Sequence, residues 1–122
     1  MLKRQKLVAV VDDDLSTLGA TESLLDANGY ASVGFSSAEA FLDRLTTIQA
    51  DCLLLDIHLG GLSGIELRRR LKASGSALPV IFMTALDDET VRAEAIRVGC
   101  VACLRKPFPA SQLIDAIEKA VA

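Results

Sequence analysis

At residues 6–14 the chain reads KLVAVVDDD, an apolar run that ends in three consecutive aspartates. Two later runs follow the same plan: CLLL at residues 52–55 is followed by Asp56, and VIFM at residues 80–83 is followed by Thr84. Their apolar residues are continuous instead of alternating, which is typical of parallel strands buried on both faces of a sheet. The sequence therefore predicts three central strands, each ending at a polar residue.

The segments around these runs complete an alternation of strands and helices. Weaker strands are predicted at Ala31–Phe35 and Val101–Leu104. Each predicted helix has a start or stop signal of a known kind, either a cap, an acidic first turn or a glycine or proline at a terminus. In chain order these signals are Asp14 with Asn28-Gly29, Ser36 with Glu39, Ser63 with Glu66, Asp87-Asp88-Glu89 with Val98 and Gly99, and Pro109.

Five strands alternating with five helices predict a doubly wound α/β fold, in which helices cover both faces of a parallel sheet. A chain of 122 residues has room for a single domain, residues 1–122. Ligands of such folds bind outside the carboxyl ends of the strands. One aspartate after a strand is more simply a turn residue or a helix cap. Polar residues after four strands, the last of them Lys106 after strand five, instead favour a functional site.

Composition excludes several classes of protein. The 16 acidic and 13 basic residues give a net charge of −3, and the three arginines at 68–70 point in different directions on a helix, so direct nucleic-acid binding is not expected. No apolar run approaches the roughly 20 residues that span a bilayer, and no signal-type segment is present. We therefore expect a cytoplasmic protein without membrane association, in which the three cysteines are reduced thiols. Cys100 and Cys103 form a CxxC pattern whose side chains are expected on opposite sides of an extended segment.

The strand-end motifs resemble those of the response-regulator receiver family, and the resemblance extends from Leu7 to Val121. The matching motifs are VVDDD at residues 10–14, LLDI at 54–57, FMTA at 82–85 and KPF at 106–108. The resemblance implies a flavodoxin-like (βα)5 receiver fold with strand order 2-1-3-4-5. It also implies a single-domain member of two-component signal transduction, with Asp56 as its phosphoacceptor.

The acidic residues also have a physical reason to bind a cation. Three carboxylates in one pocket repel one another unless a cation or a proton is present, and their hard oxygen atoms suit Mg²⁺. The resemblance implies that Asp13, Asp56 and the backbone carbonyl of His58 bind Mg²⁺ directly. It implies that Asp12 holds the ion largely through water.

The resemblance also implies a reaction. Asp56 is expected to attack the phosphorus of a phosphohistidine on a sensor histidine kinase or a histidine phosphotransfer protein, or of a small phosphodonor. Thr84 and Lys106 would stabilise charge on the transferred group, with Lys106 aimed by a cis peptide bond to Pro107. The domain would then not be an enzyme in the usual sense, but a phosphoacceptor that catalyses its own phosphorylation and dephosphorylation. Its further partners would be a downstream protein effector and a second copy, in a phosphorylation-dependent dimer.

Three residues depart from the family pattern or stand out beside it. Gly61 replaces a common proline, which predicts a more flexible loop. Cys103 replaces the Phe or Tyr that turns inward after phosphorylation, so we hypothesise a smaller response of the surface formed by helix four, strand five and helix five. The alternative is that Cys103 packs as a small hydrophobic residue. His58 is either simply solvated or influences the lifetime of the phosphorylated state.

Other functions remain open at this stage. An aspartyl phosphatase generally has a second acid two residues after its nucleophile, where this chain has His58. A flavin-binding module is disfavoured because phosphates avoid an aspartate-rich loop. The remaining alternative is a receiver that binds partners without being phosphorylated. No output domain is expected within the residues after Val121, and the sequence does not distinguish a domain acting alone from part of a larger regulator or hybrid kinase.

Overall fold

Strands and helices alternate without exception in the structure, a computed structural model that describes residues 5–122. The strands are β1 (Leu7–Val11), β2 (Ala31–Phe35), β3 (Cys52–Asp56), β4 (Val80–Thr84) and β5 (Ala102–Arg105). The helices are α1 (Leu15–Ala27), α2 (Ala38–Arg44), α3 (Gly64–Ala73), α4 (Glu89–Val98) and α5 (Ala110–Val121). The first four residues of the predicted domain lie outside the described residues.

All pairs of neighbouring strands are parallel, in the order β2-β1-β3-β4-β5. This arrangement confirms the predicted doubly wound, flavodoxin-like fold. Val11 of β1 pairs with Leu55 of β3, and Leu55 pairs with Phe82 of β4. The three central strands therefore end side by side, and the residues that follow them meet at one edge of the sheet.

The sheet separates two apolar clusters because successive side chains of a strand point to opposite faces. One face packs against α2, α3 and α4, where Phe41 is fully buried and its ring meets Phe35 edge-on at 5.5 Å. The other face packs against α1 and α5, where Leu25 and Ile117 are fully buried. Each such side chain contributes about 1.5–3 kcal/mol by leaving water. This two-sided burial explains why β3 and β4 read as continuous apolar runs.

Four helices begin with a capping side chain, and at three of them this residue belongs to the start signal found in the sequence. Asp14 caps α1, Ser63 caps α3 and Asp88 caps α4, each accepting bonds from amides of the first turn. The predicted cap of α2 is wrong by one residue, since Ser37 and not Ser36 accepts the Ala40 amide, at 3.0 Å. Glu39 is consequently free to reach another part of the chain.

The β5 region differs from its prediction. The strand was expected at Val101–Leu104 but pairs with β4 from Ala102 to Arg105, because the ladder begins with Ile81 and Ala102. The Val101 amide donates a hydrogen bond to the Val80 carbonyl at the margin of the sheet, but 37% of the Val101 surface is exposed.

The expectation that Cys100 and Cys103 face opposite sides is also wrong. Both side chains pack against the cluster under α4, because Cys100 belongs to the turn before the strand. All three cysteines are free. Among residues 5–122, no helix is long and apolar enough to cross a membrane.

Candidate functional site

Three carboxylates meet where β1 and β3 end. Asp12 follows β1 and is fully buried, Asp56 is the last residue of β3 and is 6% exposed, and Asp13 is exposed. Each offers one oxygen atom such that all three atoms lie within 4.8 Å of one another. The parallel pairing of β1 and β3 explains why these carboxylates converge. The structure thus brings three of the predicted site residues together.

Lys106 brings a positive charge to the same place. It directly follows β5, and its amide donates to the Thr84 carbonyl at 2.8 Å. The peptide bond to Pro107 is cis, as predicted. The Lys106 Nζ atom donates to Asp12 Oδ2 at 2.8 Å and to Asp56 Oδ2 at 2.9 Å. One ammonium group thus faces three carboxylates, which leaves an excess of negative charge.

Burial and charge shift the pKa values of two of these groups. Burial raises the pKa of Asp56, against the opposing effects of Lys106 and the His58 amide, and the Asp12 carboxylate raises it further. Burial alone would lower the pKa of Lys106, but hydrogen bonds to Asp12 and Asp56 outweigh it and leave this pKa raised. The two shifts are compatible because burial, the largest cause, outweighs the single ammonium group at Asp56, whereas two carboxylates together outweigh burial at Lys106. Lys106 therefore remains an ammonium group.

Backbone amides complete the hydrogen bonding of the carboxylates. Asp12 Oδ1 accepts the Asp14 amide at 3.0 Å, and Asp56 Oδ1 accepts the His58 amide at 3.1 Å. Asp13 Oδ2 accepts the Gly60 amide at 3.1 Å. The loop between β3 and α3 is therefore held to the acidic cluster by its own backbone.

Thr84 is the last residue of β4, directly after the Met83 that pairs with Asp56, and is 2% exposed. Its Oγ1 atom accepts the Leu86 amide at 3.1 Å and lies 3.5 Å from the Leu86 carbonyl oxygen. A hydroxyl group can accept one hydrogen bond while donating another. Because the bond to the carbonyl is long, the hydroxyl proton is available for a closer acceptor.

Gly64 allows α3 to start against the end of β3. A Cβ atom at this position would overlap the Asp56 carbonyl oxygen and lie 2.9 Å from Ile57 Cα. The Gly64 amide donates to the Ile57 carbonyl at 3.0 Å. Glycine is required here by close backbone approach, which fixes where the helix begins relative to Asp56.

Two other predicted residues lie at the margin of the site. The His58 side chain is exposed, and its amide contacts Asp56. Cys103 is half-buried on β5, pairs with Phe82 in the ladder and packs against the cluster under α4. Burial raises the pKa of the Cys103 thiol, and Arg92 partly opposes this effect.

Sequence reasoning missed one contributor to the site region. Glu39, on α2, accepts the Leu62 amide at 3.1 Å through Oε2. This contact joins residues that are 23 positions apart, so no local pattern could have indicated it. The only signal in the sequence was the Gly60-Gly61 pair, which allows a side chain to approach the backbone closely.

Comparisons with known proteins show which family this chain belongs to. The family model of the response regulator receiver domain matches residues 8–118. The transcriptional regulatory protein FixJ of Bradyrhizobium diazoefficiens is 38% identical over 114 residues, which are 93% of this chain and 56% of FixJ. The response regulator protein TodT of Pseudomonas putida is 34% identical over 121 residues, 99% of this chain and 53% of TodT. The chain thus spans about half the length of these curated relatives.

The solved structures that are similar to this chain also include FixJ and a response regulator. The crystal structure of FixJ-N has a TM-score of 0.91 at 32% identity, covering 98% of this chain and 95% of that one. A response regulator receiver protein from Burkholderia phymatum has a TM-score of 0.85 at 41% identity, covering 96% and 95%. Full-length FixJ from B. japonicum matches with 97% of this chain but only 60% of its own.

Proposed function

Because this chain belongs to the response regulator receiver domain family of two-component systems, we propose that it accepts a phosphoryl group on Asp56 in a Mg²⁺-dependent reaction. The observation that supports this best is the buried Asp56 carboxylate, placed within 4.8 Å of two further carboxylates and bonded to Lys106. A structural role alone would not require three acidic groups around one ammonium group, since their repulsion destabilises the fold.

The donor set fits Mg²⁺. Carboxylate oxygens are hard ligands, and the excess negative charge of the cluster is what a divalent cation neutralises. We assign direct binding to Asp13, Asp56 and the His58 backbone carbonyl, and binding largely through water to Asp12. When bound, the ion would stabilise negative charge on the phosphoryl oxygens.

The side chains of the protein have distinct tasks in the proposed transfer. An Asp56 carboxylate oxygen attacks the phosphorus atom, the bond from phosphorus to the donor nitrogen breaks, and the electron pair stays with the donor imidazole. The products are an acyl phosphate and the dephosphorylated histidine. Lys106 holds its ammonium group beside the transferred oxygens, and Thr84 turns its hydroxyl proton from the Leu86 carbonyl towards them.

The same proposal names the partners. The donor would be a sensor histidine kinase, a histidine phosphotransfer protein or a small phosphodonor, and the domain would act as a phosphoacceptor instead of an enzyme with a separate substrate. A groove of about 630 Å³ between α1 and the Lys106-Pro107-Phe108 segment is lined in part by Lys106, and we propose it as the surface that receives the donor protein. Because a histidine kinase takes its phosphoryl group from ATP, the transfer to Asp56 would take place in the cytoplasm.

The output would be read by another protein surface. Leu86 is 51% exposed after β4 and Ile96 is 63% exposed on α4, which provides apolar area for a downstream effector or for a second phosphorylated copy. Cys103 lies next to this region, and its small side chain supports the hypothesis of a reduced conformational response.

Phosphorylation is tested by intact-mass measurement after incubation with a small acyl phosphodonor. We expect one added phosphoryl group with Mg²⁺, none with a chelator and none in Asp56→Asn. Asp43→Asn, which removes an exposed carboxylate from α2, is the matched control and should be modified like the wild type. Failure of the wild type to gain mass would favour the alternative of a receiver that binds without phosphorylation, and modification of Asp56→Asn would place the acceptor elsewhere.

A further inference from the structure

The loop between β3 and α3 is held by three carboxylates, one at every second residue. Each of its amides at positions 58, 60 and 62 donates a hydrogen bond of 3.1 Å to a carboxylate oxygen. The pairs are His58 with Asp56, Gly60 with Asp13, and Leu62 with Glu39. The loop is thus positioned mainly through its backbone, which matters because it contains two consecutive glycines.

Two of these three acceptors change during the proposed reaction. When Asp56 becomes an acyl phosphate, its carboxylate turns into a neutral acyl group and the negative charge resides on the phosphoryl oxygens, which weakens the bond from the His58 amide. Asp13 shares its lone pairs with the cation and therefore has less capacity for the Gly60 amide. Glu39 lies outside the carboxylate cluster, in the first turn of α2, so its charge is the same before and after transfer.

The Glu39 carboxylate approaches the loop so closely that a side chain at position 61 would have to displace it. Gly61 has a φ of +76°, and a Cβ atom at this residue would lie 2.9 Å from Glu39 Oε2. The carboxylate therefore occupies the space that a side chain at position 61 would need. Bonds from its own backbone amide and from the Leu62 amide hold the pKa of Glu39 below its usual value, so the group is charged at neutral pH.

We infer that Glu39 is a positioning residue for the phosphorylation reaction, which anchors the β3–α3 loop while Asp13 and Asp56 change their partners. This inference rests on the proposed function. Glu39 touches neither the phosphoryl group nor the cation in this assignment. It acts through the Leu62 amide, keeping the loop backbone in place next to Asp56 and limiting the motion that Gly60 and Gly61 would otherwise permit.

The first test compares Glu39→Ala and Glu39→Gln with the wild type. Loss of one hydrogen bond to a loop amide should slow phosphorylation by a small phosphodonor, and weaken Mg²⁺ binding, by roughly threefold to tenfold in Glu39→Ala. Glu39→Gln keeps an oxygen acceptor and should retain at least half of the wild-type rate. Hydrogen exchange of the Leu62 amide should be fastest in Glu39→Ala, intermediate in Glu39→Gln and slowest in the wild type.

Glu89→Ala is the matched control for a merely structural effect. It removes another exposed acid from the first turn of a helix, α4, and so loses a similar interaction with the helix dipole without touching the loop. We expect its phosphorylation rate and its Leu62 exchange to equal those of the wild type, whereas both should change in Glu39→Ala.

A second pair of variants reaches the same contact from the opposite side. Gly61→Ala places a methyl group against the Glu39 carboxylate and should displace it, which reproduces the slower phosphorylation of Glu39→Ala. Gly75→Ala carries a similar left-handed strain, at φ +82°, but its new methyl group meets no atom within 4 Å. Gly75→Ala should therefore lose stability and keep its phosphorylation rate.

The outcomes separate the two proposals. If the wild type is not phosphorylated, the proposed function fails. If the wild type is phosphorylated and Glu39→Ala matches Glu89→Ala in rate, Mg²⁺ affinity and Leu62 exchange, the anchoring role is overturned and the proposed function stands.

Discussion

Replacing Asp13 by asparagine should stabilise the protein in the absence of divalent cations. Asp13 contributes the exposed member of three carboxylates that lie within 4.8 Å of one another. The Lys106 ammonium is bonded to the other two, Asp12 and Asp56. An asparagine oxygen can still accept the Gly60 amide, so the substitution removes charge while the hydrogen bond is kept.

The size of the effect follows from this separation. Two unit charges 4.8 Å apart repel by about 3.5 kcal/mol at an effective dielectric constant of 20, and by about 0.9 kcal/mol in bulk water. Asp13 is exposed, and Lys106 partly neutralises its neighbours, so the lower half of this range applies. We expect a gain of about 1 to 2 kcal/mol in the free energy of unfolding, which corresponds to a Tm higher by about 4 to 8 °C for a domain of this size.

Urea and thermal unfolding, each with a chelator and with excess Mg²⁺, measure this gain. A cation that binds only the folded state stabilises it by about 1.4 kcal/mol at ten times its Kd. The wild type should gain this stability and Asp13→Asn should not, so Mg²⁺ narrows or reverses their difference. Asp14→Asn is the control, because it removes a neighbouring charge while asparagine remains a good cap for α1.

Two results would refute this reasoning. If Asp13→Asn is less stable than the wild type in chelator, carboxylate repulsion does not dominate the site. If Mg²⁺ stabilises both proteins equally, Asp13 is not a ligand. A gain in Asp14→Asn as large as that of Asp13→Asn would show that net charge, and not the cluster, is responsible.

Three further predictions concern packing, thiol chemistry and the switch. Gly64→Ala should cost about 1–3 kcal/mol in urea unfolding, because its methyl group overlaps the backbone at the end of β3; Gly19→Ala, with open space inside α1, should instead stabilise by about 0.5–1 kcal/mol. Burial raises the pKa of Cys52 to about 12, so at pH 8 only about one molecule in ten thousand carries its thiolate, and a thiol reagent should label Cys100 and Cys103 first. Between pH 9 and 12 the Cys52 thiol stays protonated in the folded protein but loses its proton in the unfolded chain. The free energy of unfolding should therefore fall as the pH rises through this range. Cys103→Tyr should enlarge the NMR shifts that a phosphoryl mimic causes around α4, β5 and α5, whereas a larger response in the wild type would exclude the hypothesis of a weakened switch.

The sequence predicted the central strands and their polar ends because the signals are local and mutually consistent. β3 and β4 are buried on both faces, so their apolar runs are continuous, and parallel pairing then brings Asp56 beside Asp12. The three aspartates after β1 were given separate roles, because Asp14 marked the start of the first helix and the family resemblance assigned Asp12 and Asp13 to the cation site. The structure shows that Asp14 is a helix cap, whereas Asp12 and Asp13 join the cluster.

The sequence failed where long-range contacts decide the outcome. Two adjacent serines precede α2, and the capping pattern selected Ser36 because Glu39 follows it by three residues. In the fold, Glu39 accepts the Leu62 amide, and the cap is Ser37. The three arginines at 68–70 carried no signal of a specific contact, but the Arg68 Nε atom donates to the Gly99 carbonyl at 2.8 Å and ties α3 to the end of α4.

The expected flexibility of the loop at Gly61 stays a prediction, but its physical setting is now defined. Proline has a fixed φ near −65°, which is incompatible with the φ of +76° at this residue. The chain therefore could not accept the common proline without rebuilding the loop and moving Glu39.

Because all five strands run in the same direction, the connections that leave strands and the turns that enter them lie at opposite ends of the sheet. The two ends therefore differ in how well they should tolerate an inserted segment. Every residue of the proposed site lies at the carboxyl end of a strand or on the connection that leaves it, whereas the turns at Gly29 and Gly75 enter a strand from the opposite end of the sheet. At both glycines an added Cβ atom would meet no other atom within 4 Å. A fluorescent protein or a peptide tag inserted at either turn would be separated from the chemistry by the length of the sheet, which makes these turns the places to build a reporter of phosphorylation into the domain.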